Sequence, residues 1–254
     1  MKISICIPSY KRPKVETLDY IPWAKVFVDE SESREYTKAN KGAEIIPLAK
    51  GIQGSVCRVR NHILNTELPK ADCVVILDDD MRGIFYHEGG ERIKIQTESL
   101  EKWIALKTET AFEFRAKLWG VNVNPDHLGY REYAPISTTS FIGGPFGCFL
   151  SGFDCRYDEA LPLKEDYDMT IQCLKKYRIA VRFNKYHYDV KQSKQAGGCA
   201  AYRNAKFEME QLMALQKKWG SKIVRFDGNE NSASKKERAI LDYNPIIKVP
   251  IKGI

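Results

Sequence analysis

Three adjacent carboxylates, Asp78, Asp79 and Asp80, end an apolar run, CVVIL at 73–77. Like charges side by side oppose one another, so the triplet gains little from folding alone and suits an external cation. Hard carboxylates with open coordination positions suit Mg²⁺ or Mn²⁺ carrying the phosphates of a substrate. If the extended strand geometry persists, Asp78 and Asp80 share one face and Asp79 turns aside. An acidic turn after a buried strand is the plain alternative. A second acidic group, Glu165, Asp166 and Asp168, lies in YDEALPLKEDYDMTIQCLKK and opens a helical pattern. Acids in a first turn suit the helix N-terminus, and a carboxylate there can also serve as general base toward a hydroxyl. Residues two apart do not share a helical face, so one of these carboxylates is expected to be structural.

Further candidates are spread along the chain. Arg60 and Asn61 sit in VCRVRNHIL, and a guanidinium fork is a good partner for phosphate. Lys11 and Arg12 follow Pro8 and Tyr10 in IPSYKRP, and either cation can meet a phosphate. Asp29 ends KVFVD, where a carboxylate can cap a strand end. His187 in NKYHYD stands alone in its stretch, and a lone histidine is more often structural. Lys185, Lys191 and Lys194, with Gly197-Gly198, suggest a basic loop able to close on a diphosphate, or a solvated surface. Gly143, Gly144 and Gly147 in FIGGPFGC permit close approach of a bulky group or a tight bend.

These residues need elements to position them. The apolar runs predict strands at Ile3–Ile7, Lys25–Val28, Glu44–Leu48 (irregular at Pro47), Cys73–Leu77, Gly120–Val123, Ile136–Ser151 (broken at Gly143-Gly144-Pro145) and Ile179–Phe183. Helical patterns cover Val56–Leu64, Glu98–Trp119, Lys164–Lys176 and Tyr202–Trp219, while Tyr186–Gly198 and Asp227–Arg238 read as loops. Strand and helix alternate, which predicts an α/β fold with right-handed crossovers. In such sheets ligands collect at the carboxyl ends of strands, where Asp29 and Asp78–Asp80 fall.

The chain has 254 residues, a length suited to one large domain. Its formal charge of +7 fits an anionic partner such as nucleic acid, a membrane surface or a phosphorylated molecule. Seven cysteines form no C-x-x-C pair, which argues against a zinc or disulfide framework and for a reducing cytoplasm. No apolar run approaches the ~20 residues of a membrane helix, and the N-terminal run, broken at Pro8, is too short for a signal peptide.

In order, IPSYKRP, VFVDE, GSVCRVRNHIL, ADCVVILDDD and KEDYD resemble the inverting, family-two nucleotide-diphospho-sugar glycosyltransferases of the GT-A fold, over roughly residues 2–184. That resemblance implies a mostly parallel sheet flanked by helices, with one catalytic domain over 1–254. It divides into a nucleotide-sugar half (1–80), an acceptor half (81–190), and a loop, helix and tail (191–254). It implies that Pro8, Tyr10, Arg12, Asp29, Arg60, Asn61, Asp78 and Lys194 bind the donor, a uridine-diphosphate sugar. Asp80, with Asp78 and His187, would ligate the metal, and Asp166, with Glu165, would activate the acceptor hydroxyl.

SYKRP, VRNHIL, LDDDMRGI, KEDYDMTIQCLKKYR and SKQAGG are further similar to the TET-associated glycosyltransferases. These are bacteriophage and eukaryote-related enzymes acting on hydroxymethylated pyrimidines, such as hydroxymethylcytosine, in DNA. A DNA acceptor would account for the positive charge through phosphate contacts. A base inside a duplex would have to be flipped, with Phe141, Phe146 or Tyr157 available to hold it. A host-cytoplasmic enzyme of unspecified oligomeric state follows if a phage encodes it. Polysaccharide, lipid or protein acceptors are alternatives within the same fold. A sugar nucleotidyltransferase would carry a glycine-rich loop where PSYKRPK stands. A nuclease does not require Asp29 and Arg60-Asn61 in this order, and a non-catalytic DNA-binding relative would not need both acidic groups.

Overall fold

The computed structural model describes residues 1–126, 130–190, 198, 203–226 and 243–248. Four parallel strands form its first half: β1 (Ile3–Pro8), β2 (Lys25–Asp29), β3 (Glu44–Leu48) and β4 (Cys73–Leu77). The ten-stranded sheet continues past β4 through β9 (Phe146–Leu150), β7 (Leu118–Asn122), β10 (Val181–Val190), β5 (Met81–Glu88) and β6 (Glu91–Lys94). Short β8 (Ile136–Ser137) pairs with β10 off this path. β9 runs antiparallel to both neighbours, whereas β7 and β10 are parallel. Pro47, which cannot donate to a ladder, is tolerated because β3 is an edge strand.

Alternation along buried strands divides the core between the two faces. Cys73, Val75 and Leu77 pack with Leu100 and Ile104 of α3 (Thr97–Glu113). Val74 and Ile76 pack with Ile63 and Leu64 of α2 (Val56–Glu67) and with Met169 and Leu174 of α4 (Glu165–Tyr177). A short helix, α1 (Ser33–Ala39), follows β2. α5 (Ala205–Trp219) covers the outer side of α4 through Ile171, Leu212 and Leu215, with the β11 (Val224–Arg225) and β12 (Ile246–Ile247) ladder alongside. This is the expected α/β layout, with a large central sheet between helices. Among the described residues no helix is long and apolar enough to cross a membrane.

Three elements differ from the sequence reading. The helix begun near Glu98 stops at Glu113, where Arg115 takes a left-handed φ of 57°, so Trp119 lies in β7 as a buried core residue. Residues 81–94, given no element from sequence, form the β5–β6 hairpin; Gly89 and Gly90 both have positive φ, as its two-residue turn requires. The strand expected to end at Phe183 continues to Val190, because Tyr186–Val190 pairs with β5.

Candidate functional site

The carboxyl ends of β1 and β4, the N-terminus of α4 and the far end of β10 enclose a cavity of about 640 Å³. Asp78, Asp79, Asp80, Glu165 and Asp166 line it, facing Lys11, Arg12, Arg60, Lys164 and Arg203. The two acidic groups are far apart in sequence and one residue joins them. Arg60, projecting from α2, is 2 % exposed. Its guanidinium donates to Asp78 Oδ1 at 2.8 Å, to Glu165 Oε1 at 3.0 Å and to the carbonyl of Gly144 at 3.1 Å, and it packs over the Tyr157 ring. The planar fork suits this because its N–H groups diverge toward separate acceptors. Gly144 must be small here, since a Cβ on it would lie 3.1 Å from the guanidinium.

The extended geometry expected for the triplet does not persist. The chain turns at Asp79-Asp80 into β5, so all three carboxylates reach the cavity. Asp78 meets Arg60 on the α2 face, while Asp79 takes a hydrogen bond from Ser9 Oγ and an ion pair with Arg12. Arg12 also lies 3.7 Å from Asp80. Burial is the main cause that raises Asp79 to about 6 and Asp80 to about 7; neighbouring carboxylates add to it and Arg12 opposes it. Thr17, whose role sequence patterns give no hint of, holds the turn. Its hydroxyl donates to the Asp78 carbonyl and accepts from Met81 N–H, and its own N–H donates to the Asp79 carbonyl.

At the head of α4, Asp166 Oδ2 accepts from Gly144 N–H at 3.1 Å and Oδ1 from Tyr167 N–H at 2.8 Å. Burial raises its proton affinity, against the pull of these amides. Burial and then the Asp166 charge push Glu165 up to about 8. Asp168 is the structural carboxylate of this segment. It is fully buried and binds Gln172, Lys218 and the Trp219 indole, fastening α4 to α5. Lys164 is fastened likewise, through its ion pair with buried Glu208 of α5 at 2.5 Å.

Pro8, Tyr10 and Arg12 line the cavity as the order of motifs suggested, but other candidates sit elsewhere. Asp29 caps the turn after β2 by accepting from the N–H and hydroxyl of Ser31, which also lowers its pKa. Asn61 clamps the backbone of Tyr157 through paired 2.8 Å bonds. Phe146 and Tyr157 are core residues, so of the three suggested aromatics Phe141 alone lines the cavity. Lys185 pairs with Glu88 on the β5–β10 ladder. Lys191 and Lys194 lie outside the described residues.

His187 is stacked between strands, 5.1 Å from the His87 ring, and its Nε2 accepts from Arg92 Nε at 3.2 Å. Accepting this bond requires a neutral ring. Burial, then Arg92 and His87, depress its pKa to about 4. The unfolded chain therefore takes up a proton near pH 6.5 that the native chain refuses until about pH 4. The sign is a loss of stability on acidification. In His187→Gln, which can still accept from Arg92 but cannot titrate, the difference from wild type in denaturant-unfolding free energy should shift by roughly 2–3 kcal/mol against the wild type between pH 7 and pH 4.

Residues 5–198 match the family described as TET-Associated Glycosyltransferase. Among solved structures, S. aureus TarS 1-349 shares 14% identity over 85% of this chain with a TM-score of 0.44, and this chain covers 65% of that one. A197 from STIV shares 11% identity over 78% of this chain and 89% of that chain, with a TM-score of 0.45. Mannose-1-phosphate geranyltransferase from Thermus thermophilus shares 9% identity over 74% of this chain and 76% of that chain, with a TM-score of 0.43. No curated protein matches. With the family match running over residues 5–198, which include most of the cavity lining, the chain belongs to the TET-associated glycosyltransferases.

Proposed function

We propose that the protein moves a sugar from a nucleotide-diphospho-sugar, with uridine the expected base, to the hydroxyl of a 5-hydroxymethylated pyrimidine in DNA. The reading is supported above all by Arg60, which holds the strand-end carboxylates and the α4 carboxylates on one cavity. Asp166, fixed by two amides with lone pairs to spare, takes the proton of the acceptor hydroxyl. The hydroxyl oxygen attacks the anomeric carbon as the bond to the diphosphate breaks, and the nucleoside diphosphate leaves with that electron pair. One direct displacement inverts the anomeric centre. Glu165, tied to Arg60, positions this acidic pair rather than receiving the proton.

The wall chemistry fits a divalent cation. Arg12, Arg60 and Lys164 are already paired with protein carboxylates, so a donor diphosphate brings negative charge that these cations do not offset, and Asp80 lies crowded by Asp78 and Asp79. Asp80 and Asp78 would hold Mn²⁺ or Mg²⁺ together with donor phosphates, because among the described residues no three His, Cys, Asp or Glu enclose a metal. His187 is left out of this set, its Nε2 being engaged by Arg92. When bound, the ion would offset charge on the leaving diphosphate.

The test is a panel of sugar nucleotides incubated with Mn²⁺ and DNA containing hydroxymethylcytosine or hydroxymethyluracil, read by nucleoside mass spectrometry. A hexose-sized mass gain is expected, and Asp80→Ala should lower nucleoside diphosphate release by about 100-fold or more. Transfer to a sugar, lipid or peptide with no gain on any DNA would sink the DNA acceptor. Release of pyrophosphate would instead indicate nucleotidyl transfer.

A further inference from the structure

β10 brings to the cavity a residue that no motif marks. Tyr188 lines the cavity and Gly143 is held against it, so that a Cβ there would lie 2.5 Å from the Tyr188 hydroxyl. Among the described residues that hydroxyl has no hydrogen-bond partner, and burial, followed by the charges of Asp166 and Asp78, opposes its ionisation. A phenol whose hydroxyl opens on the cavity can bond a ligand held there. Phe141 and Tyr167 also line the cavity, stacked with ring centroids 4.1 Å apart and planes within 12°. Tyr167 directly follows Asp166, so this pair stands beside the proposed base. Val123 completes an apolar wall, in contrast to the charged wall of Arg12, Asp79 and Asp80.

Flat aromatic surface with a phenol hydroxyl at its edge matches a planar heterocycle with a polar edge. We infer that Phe141, Tyr167 and Tyr188 form the acceptor-base subsite, the stacked pair bearing on the face of the pyrimidine and the Tyr188 hydroxyl reading its polar edge. This rests on the DNA-base reading above and adds the residues that select the base. Stacking of a base on an aromatic ring contributes about 1–3 kcal/mol, equivalent to about 5- to 150-fold in affinity. A phenol can donate to the exocyclic C4 carbonyl oxygen of a uracil-type base or accept from the C4 amino group of a cytosine-type base, two bonds of unequal strength, so its removal shifts preference between the two.

The experiment compares wild type, Phe141→Leu and Tyr188→Phe on single-stranded oligonucleotides bearing one hydroxymethylcytosine or one hydroxymethyluracil. Acceptor and donor KM are measured separately. An oligonucleotide with fluorescent pyrrolocytosine at the target position reports base stacking without turnover. Phe141→Leu should raise acceptor KM by about 10- to 100-fold, move donor KM far less, and lose the pyrrolocytosine signal. Tyr188→Phe, which keeps the ring, should change the hydroxymethylcytosine to hydroxymethyluracil ratio of kcat/KM by at least fivefold. Wild-type transfer to DNA with all three readouts unmoved in both variants overturns the subsite and leaves the proposed function standing. A Phe141→Leu effect confined to donor KM also overturns it, by placing the ring on the donor. If wild type modifies no DNA base at all, the proposed function fails, and the subsite with it.

Discussion

Arg60→Ala should be the most damaging single substitution, lowering stability by about 3–5 kcal/mol, or roughly 6–20 °C in Tm for a chain of this size. The reason is what stays behind. Glu165 would keep its buried place without a partner, Asp78 would lose its ion pair, and the Gly144 carbonyl would lose its donor. Arg60→Lys should recover part of the loss, because one ammonium cannot span acceptors that the guanidinium reaches from separate nitrogens. The penalty should also depend on pH. Glu165 sits at about 8, above its ordinary value of 4.5, so protonation relieves it of the need for a partner at low pH. Its contribution against the folded state grows as pH rises through that range. Urea titrations at pH 5 and pH 8 should show a distinctly smaller Arg60→Ala penalty at pH 5; an equal penalty at both would mean that Glu165 does not titrate there.

Asp166→Asn should lower kcat by about 10²- to 10⁴-fold while leaving the fold intact. The amide is isosteric, and its oxygen can still accept from Gly144 or Tyr167 N–H. What disappears is the capacity to take a proton. Because burial raises the proton affinity of Asp166, the wild-type kcat/KM should fall on the acid side as this group protonates. That limb should be missing from whatever activity Asp166→Asn retains. Survival of an unchanged acid limb in the variant would assign it to another group, with Glu165 the first to test through Glu165→Gln.

The sequence alone determined the short-range features. Five consecutive apolar residues before Asp78 specify a strand buried on both faces, and acids at the head of a helical pattern specify where α4 begins. The carboxylate ends of this chemistry were therefore legible, as was the α/β class, and the family match over 5–198 agrees with the order of those motifs. The β5–β6 hairpin was not read, although Gly89-Gly90 between two short runs is the turn signal that could have found it.

Tertiary structure decided the rest, because partners distant in sequence are chosen by register and not by composition. Asn61, next to Arg60, has an equally polar side chain, yet one turns into the cavity and the other clamps Tyr157. Helical rotation between adjacent residues is what separates them. Along β10 the decision is finer. Val181 and Phe183 pack into one face of the sheet, and an irregularity between Phe183 and His187 then shifts the alternation, so that Tyr186, Tyr188 and Val190 join them on that face. A shift of one residue exchanges the faces of everything after it. It gives Tyr188 to the cavity and His187 to the stack against His87, a choice that residue types alone could not dictate.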